Sequence, residues 1–430
     1  MKNKFIKSTI ILIIGGGITK LLAMVIKIAL ARSIGNDGIG IYMMILPTFN
    51  LFITLSTLSL STSLGKLIAE KRSSKKVIFS SIPFTMIYNF FLMIILIFLS
   101  KFISNTLLNN SITYYPILCI SFTLPIIALS GILKGYFFGK NNMFPYTFEN
   151  ICEQIVRLLF IIFIVPKLLN ISLIVAISSL VLVNILSEGI AIIVMLLFIP
   201  NKSLDKESFK VDKNIVKDVL NISIPSTGSR LIGSISYFLE PIILTYAMLK
   251  SGSSLSFITS EYGIVTGYVY ALLLIPSFFT MAISTSLLPI ISKNYAERNM
   301  RIVKKGLSQG MLFSLLIGCF FTMLFMLFPN YILKFIYNTT LGSDYVRLIA
   351  PFFIFHYIQG PLTTYLQAIN KAKCAMYGTL LGSIIKNVLL FVLAICNYKI
   401  WSLIISTIVN ILIVTIHHII YAIKSFRNIS

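Results

Sequence analysis

The chain is built from apolar runs of roughly 20 residues, rich in Ile, Leu, Phe and Val, separated by short basic stretches. Each run is long enough to cross about 30 Å of hydrocarbon. Lipid offers no water to an open amide, so such segments are helical. Twelve spans are expected, at about 8–32, 38–64, 77–99, 113–138, 145–168, 171–199, 218–249, 260–289, 307–329, 346–368, 375–396 and 400–423. The 430 residues are 57% hydrophobic and 11% charged, too few polar groups to cover a soluble fold of this size. The net charge of +23 does not indicate a nucleic-acid binder, because Lys and Arg fall in the connections and not on one solvated face. The opening Met1-Lys2-Asn3-Lys4 is followed by an apolar stretch too long for a signal peptide and reads as an uncleaved first span.

Twenty-three cations lie on the side shared by both termini, including Lys66, Lys71, Arg72, Lys210, Lys304 and Lys373, and seven lie on the other: Arg32, Lys101, Lys167, Lys250, Lys334, Arg347 and Lys399. This asymmetry predicts a multi-pass protein of the cell membrane with both termini in the cytoplasm. The remaining six cations, Lys20, Lys27, Lys134, Arg157, Arg230 and Lys386, lie within or near the ends of spans. A charge at membrane depth costs roughly 2.5–3.5 kcal/mol or more unless it meets water or a partner. These six therefore carry most of the functional information.

The chain repeats itself. Pro47-Thr48-Phe49 matches Pro276-Ser277-Phe278, and Gly131, Tyr136 and Asn141 match Gly360, Tyr365 and Asn370, all at an offset of 229. Ser61-Thr62-Ser63-Leu64 matches Ser284-Thr285-Ser286-Leu287, and Ala69-Glu70-Lys71 matches Ala296-Glu297-Arg298, with small shifts. The expected fold is therefore all-α and polytopic. Residues 1–199 form a six-helix lobe, 200–217 a cytoplasmic loop and 218–430 a second six-helix lobe. Even-numbered repeats of this kind are parallel, and they build transporters with a site near the midplane and alternating access.

Ile18-Thr19-Lys20-Leu21-Leu22, Ala31-Arg32-Ser33-Ile34-Gly35, Gly38-Ile39-Gly40-Ile41-Tyr42 and Leu60-Ser61-Thr62-Ser63-Leu64-Gly65-Lys66-Leu67-Ile68-Ala69-Glu70 resemble the opening of the stage V sporulation protein B family and its polysaccharide-export relatives. Leu274-Ile275-Pro276-Ser277-Phe278 and Ile283-Ser284-Thr285-Ser286-Leu287-Leu288-Pro289 look like the matching place in lipid II flippases. The resemblance implies the multidrug/oligosaccharidyl-lipid/polysaccharide flippase superfamily. It further implies transport of an undecaprenyl-diphosphate-linked oligosaccharide or peptidoglycan precursor, in cell-wall, sporulation or polysaccharide synthesis. Membrane lipids and the lipid-linked glycan are the expected partners.

Lys20 and Lys27 are seven apart and share one helix face with Gly16, Thr19 and Ala23. Arg230 in span seven, within Arg230-Leu231, is the counterpart of Lys20-Leu21 and shares a small polar face with Ser226, Gly233 and Tyr237. Lys20, Lys27, Arg230 and Lys386 are the candidates for holding a diphosphate, Arg by a bidentate fork and Lys as a point charge. Lys134 is expected to snorkel to the cytoplasmic interface. Glu149, Glu153 and Arg157 step by four along span five, in the order that favours a Glu153–Arg157 pair. At the offset of 229 that face reads Gly378, Gly382 and Lys386. Glu149, Glu153, Glu188 and Glu240 are candidates either for a coupling ion, Na+ or H+, or for structural pairs. For Glu240 or Glu188 the partner would be Arg230 or Lys386. Pro47, Pro225, Pro241 and Pro276 are candidate hinges.

Catalysis is not indicated. His356, His417 and His418 have no metal-ligand spacing, and no phosphate-binding glycine loop occurs. The five cysteines form no C-x-x-C and read as small apolar residues. No cofactor is expected. The competing functions are a drug/cation antiporter of the same superfamily, which needs an acidic cavity, and a non-transporting assembly protein of the envelope or spore cortex.

Overall fold

The computed structural model describes residues 2–70, 74–199 and 211–427, and no strand occurs among them. The segments 71–73 and 200–210, which include most of the expected inter-lobe loop, lie outside the described residues. The helices are α1 (Lys2–Thr57), α2 (Leu60–Ala69), α3 (Ser74–Phe102), α4 (Tyr114–Gly139), α5 (Met143–Phe163), α6 (Val165–Leu169), α7 (Leu173–Leu197), α8 (Lys213–Lys250), α9 (Leu255–Gly263), α10 (Tyr270–Leu273), α11 (Ser277–Ala296), α12 (Met300–Leu327), α13 (Pro329–Tyr337), α14 (Ser343–Ala368), α15 (Ala372–Ile395) and α16 (Trp401–Arg427).

Among the described residues, eight helices are long and apolar enough to cross a membrane, or nine if the bent pair Leu255–Leu273 and Ser277–Ala296 is one span. The first of them, Ile14–Ala69, holds two expected spans joined at Gly35, whose φ of 66° and ψ of −172° leave the helical range. The α5 and α14 helices supply the other two spans of the twelve. They are more polar, α5 because it carries Glu149, Glu153 and Arg157, and α14 because His356, Gln359, Thr363 and Thr364 interrupt its apolar residues. On α3, Ile87, Phe91 and Phe98 are 72%, 61% and 79% exposed, a bare apolar face suited to acyl chains.

The chain forms two compact units, Met1–Phe238 and Leu239–Ser430. The division falls inside α8, so the first part of that helix belongs with the first unit. In the first unit α4 is the central helix, touching α1, α2, α3, α5 and α7. In the second unit α14 takes that place among α11, α12, α15 and α16. The duplication is legible in the backbone itself. The α4 and α14 helices begin and end 229 residues apart, and so do the starts of α5 and α15. Asn109 and Asn338, and Asn141 and Asn370, share that offset, and all four have positive φ, a conformation asparagine tolerates better than most residues. Ser61 donates to the carbonyl of Gly131 at 3.0 Å, and in the second unit Ser284 Oγ lies against the matching Gly360.

The seam between α2 and α4 depends on Gly135 and Gly139, spaced four apart along one stripe. A Cβ on Gly135 would meet the Leu64 Cβ at 2.9 Å, and one on Gly139 would meet the Gly65 carbonyl oxygen at 2.9 Å. The backbones are close enough that α4 admits only hydrogen there. Gly139→Val is therefore expected to cost about 1–3 kcal/mol through overpacking. Thermal melting of the purified protein in detergent measures this, and an unchanged midpoint would refute the close contact.

The prolines act differently from the sequence expectation. Pro47 lies inside the helical part of α1 that follows Gly35, and Pro225 and Pro241 lie inside α8, which is helical throughout. Span two breaks instead at Leu58–Ser59, two residues with φ of 44° and 50°. Only Pro276 sits at a break, where span eight bends by 51°. Consecutive left-handed residues cannot continue a helix.

Candidate functional site

The six intramembrane cations separate into two classes by what faces them. Three are neutralised. In the first unit Lys134, on α4, is 17% exposed and does not reach the interface. Its Nζ stands 3.7 Å from Glu149 Oε1, 3.7 Å from Glu153 Oε2 and 3.6 Å from Glu188 Oε2. The expectation of snorkelling fails because the phase of α4 turns Lys134 toward α5 and α7, which bring it three carboxylates. Arg157 Nη2 lies 2.6 Å from Glu153 Oε1, and its Nε donates to Ser187 Oγ at 3.2 Å. Stepping by four places Glu149, Glu153 and Arg157 on one face of α5, and α7 presents Glu188 to it. Asn150 Nδ2 donates to Glu149 Oε1 at 2.8 Å and to the Tyr146 carbonyl at 2.7 Å.

In the second unit Lys386, on α15, pairs with Glu240 Oε2 of α8, and Tyr262 Oη donates to Glu240 Oε1 at 3.1 Å. Glu240 is 3% exposed. Of the readings open for Lys386, the structure shows the pair with Glu240. Glu188 goes to Lys134, and neither acid meets Arg230.

The other class is Lys20, Lys27 and Arg230. All three are exposed, and among the described residues no carboxylate forms an ion pair with any of them. A Cβ on Gly16, one turn before Lys20, or on Gly233, one turn after Arg230, would meet nothing within 4 Å. Open space therefore lies beside both cations. Lys20 and Lys27 are close enough to act on each other electrostatically. Arg230 lies on the α8 face defined by Ser223, Thr227 and Ser234, spaced by four, three and four residues. That face is hydrogen-bonded to span two. Ser223 Oγ lies 2.6 Å from Ser63 Oγ, Thr227 Oγ1 donates to Ser59 Oγ at 3.3 Å, and Ser234 Oγ lies 2.9 Å from Thr54 Oγ1. Ser59 is one of the two left-handed residues at the break in span two, so the break is tied to the helix that carries Arg230.

Sequence reasoning missed Lys134 as the centre of the acidic cluster. A signal was present in the repeat. At the offset of 229, Lys134, Glu149 and Glu153 become Thr363, Gly378 and Gly382, and Glu188 becomes His417. The four charges are present together in one half and absent together in the other. In their place, a Cβ on Gly378 would meet the His417 ring, and Thr363 Oγ1 lies 3.3 Å from His418 Nδ1. Among the described residues no group of three or more His, Cys, Asp or Glu could hold a metal ion.

A duplicated helical bundle with bare apolar flanks and uncompensated cations at membrane depth has the build of a membrane transport protein. Comparison with known proteins agrees. The model of the polysaccharide biosynthesis protein family matches residues 5–295, and the MatE model matches residues 241–393. Stage V sporulation protein B of Bacillus subtilis (strain 168) is 33% identical over 91% of this chain and 78% of its own. Lipid II flippase MurJ of the same organism is 22% identical over 90% of this chain and 77% of its own. The inward-facing structure of a multidrug resistance MATE family transporter of the MOP superfamily superposes with a TM-score of 0.75 at 13% identity, over 96% of this chain and 95% of that one. The protein is a multi-pass membrane transporter of the flippase type and not an enzyme. It belongs to the polysaccharide biosynthesis protein family.

Proposed function

We propose that the chain moves a polyprenyl-diphosphate-linked glycan, such as an undecaprenyl-linked oligosaccharide or a peptidoglycan precursor, across the cytoplasmic membrane by alternating access. The observation that carries this reading is the sorting of the intramembrane cations. Lys134, Arg157 and Lys386 are neutralised by buried carboxylates, whereas Lys20, Lys27 and Arg230 stand exposed with no acid of the described residues against them. Uncompensated positive charge at this depth calls for an anion. A diphosphate supplies two adjacent charges and oxygens in the planar geometry that the Arg230 guanidinium takes bidentately. Lys386, held by Glu240, is left out of this set. The polyprenyl tail stays in lipid while the headgroup crosses.

With both termini cytoplasmic, as the distribution of basic residues supports, the membrane potential favours the direction of transport. It contributes about 2.3 kcal/mol per 100 mV for each negative charge moved outward. Depleting the protein is expected to make the lipid-linked precursor accumulate on the inner leaflet, as measured by mass analysis of extracted lipids. Unchanged precursor levels would overturn the substrate class. The orientation has its own test. Cys396, exposed just after the end of α15, should react with an impermeant thiol reagent in intact cells, and Cys374, in the first turn of α15, only after the membrane is opened. The reverse pattern would invert the topology.

A further inference from the structure

The acidic cluster of the first unit is one positive charge short. Three carboxylates, Glu149, Glu153 and Glu188, face two cations, Lys134 and Arg157. Arg157 is committed to Glu153 at 2.6 Å. Lys134 is committed to none of the three. Its 3.6–3.7 Å distances are equal within a tenth of an ångström and longer than the roughly 2.7–2.9 Å of a charge-assisted hydrogen bond. One ammonium is thus shared between Glu149 and Glu188. Glu149 is 0% exposed and its Oε2 has no hydrogen-bond partner, and Glu188 Oε2 has none either. An uncompensated charge sealed in this way is strongly unfavourable, and a compensating ligand relieves it.

We propose that Glu149 and Glu188 together bind one exchangeable proton, making the interior of the first unit a protonation site. The ligand is a proton and not a metal ion because Lys134 already occupies the point nearly equidistant from the three carboxylates, where a metal would sit. The groups facing the site come from each helix packed around it. These are Lys134 from α4, Tyr146, Glu149, Glu153 and Arg157 from α5, and Ser187 and Glu188 from α7. From α1, Tyr42 is within electrostatic reach of Arg157, and Gly15 lies against Thr147 of α5. None of these adds a positive charge beyond Lys134 and Arg157. Lys134 and Arg157, with side chains 17% and 25% exposed, are the partly accessible members of the cluster. The second unit has no equivalent, since Thr363, Gly378 and His417 stand where Lys134, Glu149 and Glu188 stand in the first. The inference is independent of the substrate, and its failure would leave the proposed transport untouched.

The test is infrared spectroscopy of the purified full-length protein in detergent at neutral pH, following the C=O stretch of a protonated carboxylic acid. Wild-type protein should show one such band, shifted by exchange into D2O. Glu149→Gln and Glu188→Gln should each abolish it, because either substitution leaves two carboxylates against two cations. Glu240→Gln, which touches only the second unit, should retain it. Replacing choline chloride by sodium chloride at constant ionic strength should leave the band unchanged. The proposal is overturned if wild type shows no band, if the band survives both substitutions, or if sodium removes it, which would mark a sodium site. Should Glu149→Gln fail to fold, Glu188→Gln decides alone.

Discussion

Replacing Lys20 and Arg230 together by alanine is expected to lower translocation of lipid-linked precursor by about 10²–10⁴-fold while the protein remains folded and abundant. Each hydrogen bond to a charged group contributes about 1.5–3 kcal/mol, so the loss of two amounts to about 3–6 kcal/mol, at 1.4 kcal/mol per factor of ten. Stability should change by no more than about 0.5 kcal/mol, because both side chains are exposed and neither is ion-paired to a carboxylate. Conservative replacements refine the expectation. Lys20→Arg should retain most activity, since a point charge is replaced by another cation. Arg230→Lys should lose more, since the bidentate fork disappears. Precursor accumulation in cells measures all three variants. A Lys20→Ala/Arg230→Ala double variant with normal precursor levels would remove the diphosphate from these residues.

Lys134→Met should have the largest effect on stability. It strips the shared ammonium from Glu149 and Glu188 and leaves Arg157 as the sole cation for three carboxylates. Breaking a buried ion set in this way costs about 3–5 kcal/mol. At roughly 2–4 °C per kcal/mol, the thermal midpoint should fall by about 6–20 °C. The loss comes from the carboxylates left behind and not from the missing contact. Neutralising both of them should therefore restore stability. The triple variant Lys134→Met/Glu149→Gln/Glu188→Gln, which keeps only the Glu153–Arg157 pair, is expected to melt closer to wild type than the single variant. Equal melting of Lys134→Met and wild type would show that the ammonium is not what holds the cluster together.

The features that local periodicity dictates were legible in the sequence. The spans, the repeat and the Glu153–Arg157 pair follow from apolar runs, from a constant offset and from side chains four apart on one helix. The repeat is more exact in the backbone than in the residues, with Asn109 and Asn338 both in the left-handed conformation at the same offset. The environment of Lys134 was not legible, because it depends on the rotation of α4 against α5 and α7, and spacing within one helix does not fix that rotation. For the same reason Lys386 stayed open between the diphosphate and a pair with Glu188 or Glu240. The hinges were misplaced because proline marks a permitted kink, whereas the break at Leu58–Ser59 lies in residues with no compositional mark. Lys20, Lys27 and Arg230 were recognisable by type and depth, but only the described side chains separate them from the paired cations.

The division of α8 between the two units bears on how the gene could be taken apart. A duplicated bundle invites making each copy as a separate polypeptide, cut at the polar linker. Such a cut would strip from the first copy the helical stretch whose Ser223, Thr227 and Ser234 close its hydroxyl contacts with Thr54, Ser59 and Ser63. The first copy borrows part of a helix from the second, so the fusion has become part of its architecture.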